Sequence, residues 1–353
     1  GNASSALAAP YGNYGDIENK GLEIALNTRP IETKNFSWGS DFQISFNKNK
    51  LKSLSNSTAL LGYGQWTDVV ARSVVGESLY NFYGYEVEGV YTSFEDLLNS
   101  PVNTLQSNNP VTVERDENGN VTKAEWSTDP TKYNSRNTTF VGDIKYKDVN
   151  HDGVIDEKDK TNIGSPLPDF TFGWNNTFHY KQWDLTVFIN GSVGNKVGNY
   201  NKMKLTHMNS AWTNQLTDVN GRVRLTPADG VYADGWYNNI ANVVATGNGG
   251  YPRASINDPN DNDAWSSRFI QDGSYLRLKN ISLSYTFDKK LVGKIGLENV
   301  RATISATNLF TITGYDGYDP EVGASTTSAN VFGLDNGRYP SPTSWTFGLN
   351  VSF

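Results

Sequence analysis

The residues with the clearest chemistry lie at 148–159. There Asp148, Asn150, Asp152, Asp156 and Asp159 place side-chain oxygens at loop positions 1, 3, 5, 9 and 12, with Gly153 at position 6 and Val154 at position 7. Calcium takes about six to eight hard oxygens, and this spacing wraps the chain so that alternate side chains converge. The glycine permits the sharp turn, and position 7 contributes a backbone carbonyl. The expectation is a structural Ca2+ held by Asp148, Asn150, Asp152, Val154, Asp156 and Asp159. Asp159 has a shorter arm than the glutamate usual at position 12, so it binds through one oxygen or through water. The flanking residues do not read as helices. The expected role is therefore to stiffen a loop rather than to sense calcium. The plain alternative is a solvated acidic turn that happens to carry Asp-Gly.

The remaining candidates carry less. His151, His179 and His207 lie far apart, and none has a metal-ligand companion at helical spacing. His179, at a strand end, reads as a polar interface residue. There is no nucleophile elbow and no phosphate-binding loop. Asp261 and Asp263 have the residue type for paired-carboxylate catalysis, but in an Asn/Asp-rich run they read as surface loop residues. No cofactor other than calcium is expected, and no catalytic residue. Trp212, Trp236, Tyr237, Tyr251 and Trp265 crowd the segment 201–264, where they either stack on sugars or pack the loop together.

The elements that position these residues read as strands. At the end of the chain Trp345, Phe347, Leu349, Val351 and Phe353 alternate with Thr346, Gly348, Asn350 and Ser352. Successive strand residues point to opposite faces, so one face is apolar and the other small and polar. The pattern recurs upstream. Leu276, Leu278, Ile281, Leu283, Tyr285 and Phe287 change phase once near Asn280, as a β-bulge requires. Val300, Ala302, Ile304 and Ala306 repeat it, as do Phe170, Phe172 and Trp174, and Trp183, Leu185, Val187 and Ile189. Leu22, Ile24 and Leu26, then Phe42, Ile44 and Phe46, complete the set. Eight or nine strands are expected in all, joined alternately by tight turns and long loops, with residues 1–15 a loop and a short helix in Ser93–Leu98. Short turns on one side and long loops on the other, with aromatics at the strand ends, match a transmembrane barrel.

Composition narrows the function classes. The net charge is −7, which leaves no basic stripe for nucleic acid. With no cysteine, disulfides and thiolate metal sites are excluded. No run approaches the roughly 18 consecutive apolar residues of a membrane-spanning helix, a test that does not bear on strands.

Several segments together resemble the C-terminal part of SusC/RagA-like TonB-dependent outer-membrane transporters. They are Gly15-Asp-Ile-Glu-Asn-Lys-Gly-Leu-Glu-Ile24, Gly142-Asp-Ile-Lys-Tyr-Lys-Asp-Val-Asn150, Asn162-Ile-Gly-Ser-Pro-Leu-Pro-Asp-Phe170-Thr-Phe-Gly-Trp174, the run 273–287, Ala306-Thr-Asn-Leu-Phe310, Gly317-Tyr-Asp-Pro-Glu321 and the terminal strand. The resemblance implies an all-β chain whose residues 1–353 form the C-terminal portion of a barrel of about 22 strands, with the plug domain and the first barrel half outside this chain. It implies TonB-dependent import of oligosaccharides, or of peptides as in some members. The implied location is the outer membrane of a Gram-negative, Bacteroidetes-type bacterium. The implied partners are a SusD-like surface lipoprotein, the TonB-ExbB-ExbD complex through the missing part, the rest of the same barrel and outer-membrane lipid. By phase, Glu23, Asn27, Gln43, Arg277, Lys279 and Arg301 face the lumen.

Two other classes fit parts of the sequence. A secreted, calcium-stabilised β-sandwich that binds carbohydrate or acts as an adhesin explains the loop but not the strand lengths, since sandwich strands usually run about 5–6 residues. A glycan-cleaving enzyme needs two positioned carboxylates, and no pair stands out.

Overall fold

A computed structural model describes residues 15–55, 57–64, 68–210, 212–247, 250–322 and 330–353. The loop expected over 1–15 therefore lies almost wholly outside the described residues. Seven long strands form one antiparallel meander: β1 (Gly15–Glu32), β2 (Phe36–Leu54), β3 (Phe170–Tyr180), β4 (Trp183–Val193), β5 (Tyr275–Thr286), β6 (Asn299–Thr313) and β7 (Ser344–Ser352). Each pairs with its chain neighbour. The connections 33–35, 181–182 and 287–298 meet one end of the sheet; 55–169, 194–274 and 314–343 leave the other.

Register turns the sequence alternation into a continuous apolar face. Leu26, Phe42, Trp174, Ile189, Leu278 and Phe310 form one cross-strand row. Ile31, Trp38, Phe178, Leu185, Leu283, Ile304 and Phe347 form another. Nearer the short turns come Tyr180, Trp183, Tyr285, Ala302 and Leu349, with the Trp183 and Tyr285 rings 4.6 Å apart. At the loop end the Phe46 and Phe170 rings are 5.6 Å apart. From Phe170 to Tyr180 the strand covers roughly 33 Å, or about 25 Å of height at a tilt near 40°. That is the height of a lipid-facing band between aromatic girdles.

Thr28, Ser40 and Asn176 form a polar row on this face, and the last two each take a hydrogen bond from an indole. Trp38 Nε1 donates to Asn176 Oδ1 at 3.0 Å, and Trp174 Nε1 to Ser40 Oγ at 2.9 Å. A bare amide in an apolar medium costs several kcal/mol, so these donors make the residues tolerable there. Gly191 serves a different need: a Cβ on it would come 2.5 Å from the Phe172 ring that crosses it. The expected bulge sits at Lys279, which has no partner between Leu278 and Asn280 on the β4 side. On the β6 side Asn308 takes φ 52°, a left-handed conformation asparagine accepts readily.

The long connections fold into a body of their own, the loop layer, which holds the protein's core. One cluster joins Tyr91, Leu97, Trp126, Phe140, Val141 and Ile240; a second joins Val70, Phe82, Tyr200, Trp265, Phe269 and Leu334. The helix Phe94–Leu98 forms as expected, with Ser93 as N-cap accepting from the Asp96 amide at 3.1 Å. A hairpin pairs Val111–Arg115 with Val121–Trp126 around Asn118 and Gly119. The segment 201–264, expected as a structureless loop, instead carries the end of the helix Tyr200–Leu205 and the hairpin Arg224–Pro227 with Val243–Thr246. Its short elements lack the alternation that marks a half-exposed strand. Seven strands rather than eight or nine reach the wall; the segment after Gly76 forms short loop-layer strands instead, Asn81–Gly84 and Val87–Val90.

Candidate functional site

On the polar face of the wall, Arg277 is only 4% exposed. Its Nη1 lies 2.7 Å from Glu321 Oε2, its Nη2 2.6 Å from Asp319 Oδ1, and its Nε donates to Thr311 Oγ1 at 2.8 Å. Lys279 reaches the same Glu321 at 2.9 Å, and Tyr275 Oη donates to it at 3.1 Å. The start of the 314–343 connection is thus folded inward and fastened across β5. Sequence reasoning placed Arg277 and Lys279 on this face but missed their partners. The signal was there: two strand cations need nearby anions, and Gly317-Tyr-Asp-Pro-Glu321 offers two within one turn. Nearer the short turns Arg301 pairs with Asp184 at 2.7 Å, and Asp184 also meets His179 Nδ1 at 2.6 Å, in keeping with a polar role for that histidine. Glu23 and Gln43 line the same face with Asn190 and Tyr275 around an open cavity of about 730 Å3. Asn27 joins this face by register, opposite Asp41.

The acidic loop sits in the loop layer and folds as a tight turn. Asp148 Oδ2 accepts from the Gly153 amide at 2.8 Å, Asn150 Oδ1 from Asp152 at 3.1 Å and Asp152 Oδ1 from Val154 at 3.0 Å. Gly153 has φ 84°, the conformation its position demands. Asp148 Oδ1 is left buried without a hydrogen-bond partner. The far arm differs from expectation. Asp159 is fully buried, and its two oxygens accept from the Val149 and Asp156 amides at 2.9 and 2.8 Å. Burial pushes its carboxyl above the ordinary value. Asp156 accepts from the Lys158 amide at 2.8 Å and faces Arg115 at 3.4 Å. Among the described residues no three acidic or histidine side chains converge on one point, so any ion here also needs the Asn150 amide and the Val154 carbonyl.

The Asn/Asp-rich run is drawn partly inward: Ile256 and Asn257 are exposed, whereas Pro259, Asn260 and Asn262 are buried. Arg253 and Asp143 form a buried ion pair at 2.8 Å, 5% and 0% exposed. Asn262 Nδ2 donates to Asp143 Oδ1 at 3.1 Å, and Asn260 Nδ2 to the Ile144 carbonyl at 2.8 Å. Asp261 and Asp263 are half-buried, and both line a cavity of about 530 Å3. Of the aromatics, Trp265 is a core residue at 5% exposure, stacked on Phe269, whereas Trp212 is 96% exposed. Trp236 and Tyr237 pack edge to face with centroids 5.9 Å apart, and Tyr251 Oη donates to Asp218 at 3.2 Å.

No family model matches the chain. It is 31% identical over 359 residues to TonB-dependent receptor P3 of Formosa agariphila, an alignment covering 99% of the chain and 30% of that receptor. The TonB-dependent receptor SusC of Bacteroides thetaiotaomicron is 25% identical over 97% of the chain and 27% of its own length. The chain is homologous to SusC-like TonB-dependent receptors. It spans about 30% of the length of these receptors. The solved RagAB peptide transporter shares the fold, with a TM-score of 0.58 and 17% identity over 98% of the chain and 30% of that structure. In its closed-closed state the RagAB peptide importer gives a TM-score of 0.59.

Proposed function

We propose that this chain is the C-terminal part of the barrel wall, with its loop layer, of an outer-membrane TonB-dependent importer for oligosaccharides or peptides. The observation that carries the reading is the exposed apolar face of the wall. Leu22, Leu26, Phe347 and Leu349 are 57–77% exposed in register-aligned rows. A patch this extensive calls for lipid or another protein surface. A soluble sandwich would cover it with a second sheet, and among the described residues none does. The strands run 9 to 19 residues, long enough to span a membrane. β1 and β7 each leave an edge unpaired in this sheet. An open edge is not tolerated in lipid, so the remaining strands of the barrel close it.

The proposed partners are a SusD-like or RagB-like lipoprotein over the loop layer, and the TonB complex acting through a plug outside this chain; the likeness to SusC and to RagAB supports them. The intact protein, extracted in detergent from its native membrane, tests this. A mass well above 39.0 kDa with a co-purifying lipoprotein is expected. A folded 39.0 kDa species in the aqueous fraction overturns the reading.

We also infer that 148–159 holds a structural Ca2+. The buried, unpartnered Asp148 Oδ1 supports this, because a buried carboxylate oxygen wants a cation or a donor. Asp148, Asn150, Asp152, Asp156 and the Val154 carbonyl would supply the oxygens, with Asp159 bracing the loop through its amide contacts.

A further inference from the structure

At the loop end β1 and β2 stay paired beyond the point where β3 begins, out to Gly15 opposite Leu54. The last apolar row there is Leu22 with Phe46, whose ring meets Phe170 at 5.6 Å. The next rows are Lys20 opposite Lys48 and Glu18 opposite Lys50. These residues lie two and four positions beyond Leu22 and Phe46, so alternation keeps them on the same face. The intervening residues of β2 point the other way, into the loop layer. Asn49 Oδ1 accepts from Ser78 Oγ and from the Leu79 amide at 3.0 and 2.9 Å, and Leu51 is 1% exposed. Lys20, Lys48, Lys50 and Lys52 are all exposed.

This edge of the apolar face is repulsive as it stands. Like charges directly opposite each other destabilise an antiparallel pair, and Lys20 stands opposite Lys48. Lys48 and Lys50 add a second like pair, about 7 Å apart along the strand. Two acids lie nearby, and both are engaged. Glu18 is shared by Lys20 and by Lys52, the latter at 3.2 Å, and Asp16 accepts from Ser53 Oγ at 3.0 Å. Among the described residues no carboxylate pairs with Lys48 or Lys50.

Height and continuity define the anion that fits. Lys48 and Lys50 stand about 7 and 14 Å beyond Phe46 along the strand, or about 5 and 10 Å higher at a tilt near 40°. The headgroup layer of a bilayer adds about 5–8 Å to each side of its hydrocarbon. The lysines therefore begin where the apolar rows end, and their flexible stems carry the ammonium groups into the phosphate layer. A free anion would use the ammonium groups alone. A soluble acidic protein would leave the rows of Leu22 and Phe46 in water. A phosphorylated lipid matches both, with its tails on the apolar rows and its phosphate on the lysines.

We propose that Lys48 and Lys50, flanked by Lys20 and Lys52, bind the phosphate headgroup of a membrane lipid in the leaflet on the loop side. The proposal deepens the import reading and rests on its assignment of the apolar face to lipid. Each ammonium donates to a phosphate oxygen, a charge-assisted bond, and the shared anion offsets the repulsion between Lys20 and Lys48.

The test is native mass spectrometry of the full-length protein in a non-ionic detergent, titrated with phosphatidic acid and with phosphatidylcholine of the same tails. Tighter binding of phosphatidic acid is expected, weakened about fivefold for each lysine removed in K48Q and K50Q. The K48R/K50R protein should retain it. Both positions are exposed, so the glutamine variants are expected to fold. K34Q/K181Q, at the short turns, should bind as the wild type does. Equal affinity in wild type and K48Q/K50Q overturns the proposal, as does an equal loss in K34Q/K181Q. Glycerol phosphate binding as tightly as phosphatidic acid also overturns it, because the site would then hold a soluble anion. Cell fractionation separates the two readings. Outer-membrane protein indifferent to the headgroup sinks the lipid site alone, whereas protein absent from that membrane sinks the import reading beneath it.

Discussion

Leu283 and Ser282 are adjacent on β5 and point to opposite faces of the wall, which makes them a matched pair for asking what each face touches. Leu283 lies between Leu185 on β4 and Ile304 on β6, midway between the aromatic rows, and is 37% exposed. Ser282 lies between Thr186 and Ser305. If the apolar face meets hydrocarbon, Leu283→Arg puts a guanidinium near the bilayer midplane and costs about 2–4 kcal/mol. Ser282→Arg enters a polar, hydrated lumen and changes stability by about 0.5 kcal/mol or less. The assay is reversible unfolding of the full-length protein from phosphatidylcholine vesicles in guanidinium, followed by tryptophan fluorescence. Each midpoint shift is read at constant slope. Equal costs for both variants, or a larger cost for Ser282→Arg, refute the assignment of faces.

Removing one partner of the buried Arg253–Asp143 pair strands a charge, so Asp143→Ala should destabilise the loop layer by about 3–5 kcal/mol, measured by hydrogen exchange of the Phe140 and Ile144 amides. Burial first, and then the neighbouring Asp258 charge, raises Asp263 to about 7; burial raises Asp258 to about 6. A carboxyl raised on folding binds more protons in the native state, so its contribution is present at low pH and is lost as pH rises from the unfolded value near 3.8 through about 7. The loop layer should therefore melt higher at pH 5 than at pH 8, and D263N should flatten that difference in a thermal scan. Calcium at a hundredfold excess over its dissociation constant should stabilise the loop by about 2.7 kcal/mol, seen as a melting shift that EGTA and Asp148→Asn both abolish. Ser93→Ala should cost about 1 kcal/mol at the helix it caps.

The wall was legible because a strand with different solvents on its two faces must alternate. Leu276, Leu278, Ile281 and Leu283 even placed the bulge, since a change of phase has no other cheap cause. The loop layer was not, because its strands are short and enclosed, and burial on both sides erases the period. Whether Trp265 stacks on a ligand or packs the loop stayed open for the same reason: an aromatic in a polar run reads alike whether it is exposed or sits beneath the run. Asp261 and Asp263 were assigned to the surface by composition. The bonds that tie Asn260 to Ile144 and Asn262 to Asp143, each pair over 110 positions apart in sequence, draw that segment inward. The acidic loop shows the opposite balance. Its spacing foretold the turn at Gly153 but not the inward use of Asp159.

The core of this chain lies in its loops and not in its sheet, so the two parts answer to different media. The apolar clusters around Phe140 and Trp265 gain their stability from water, whereas the rows of Leu26 and Leu283 face outward. If the wall sits in lipid, a change of bilayer thickness will strain it and leave the loop layer intact. An osmolyte such as sucrose, excluded from protein surfaces, will tighten the loop layer and do little for the wall. The stability of the loop layer and that of the wall can therefore be tuned separately, each by its own solvent.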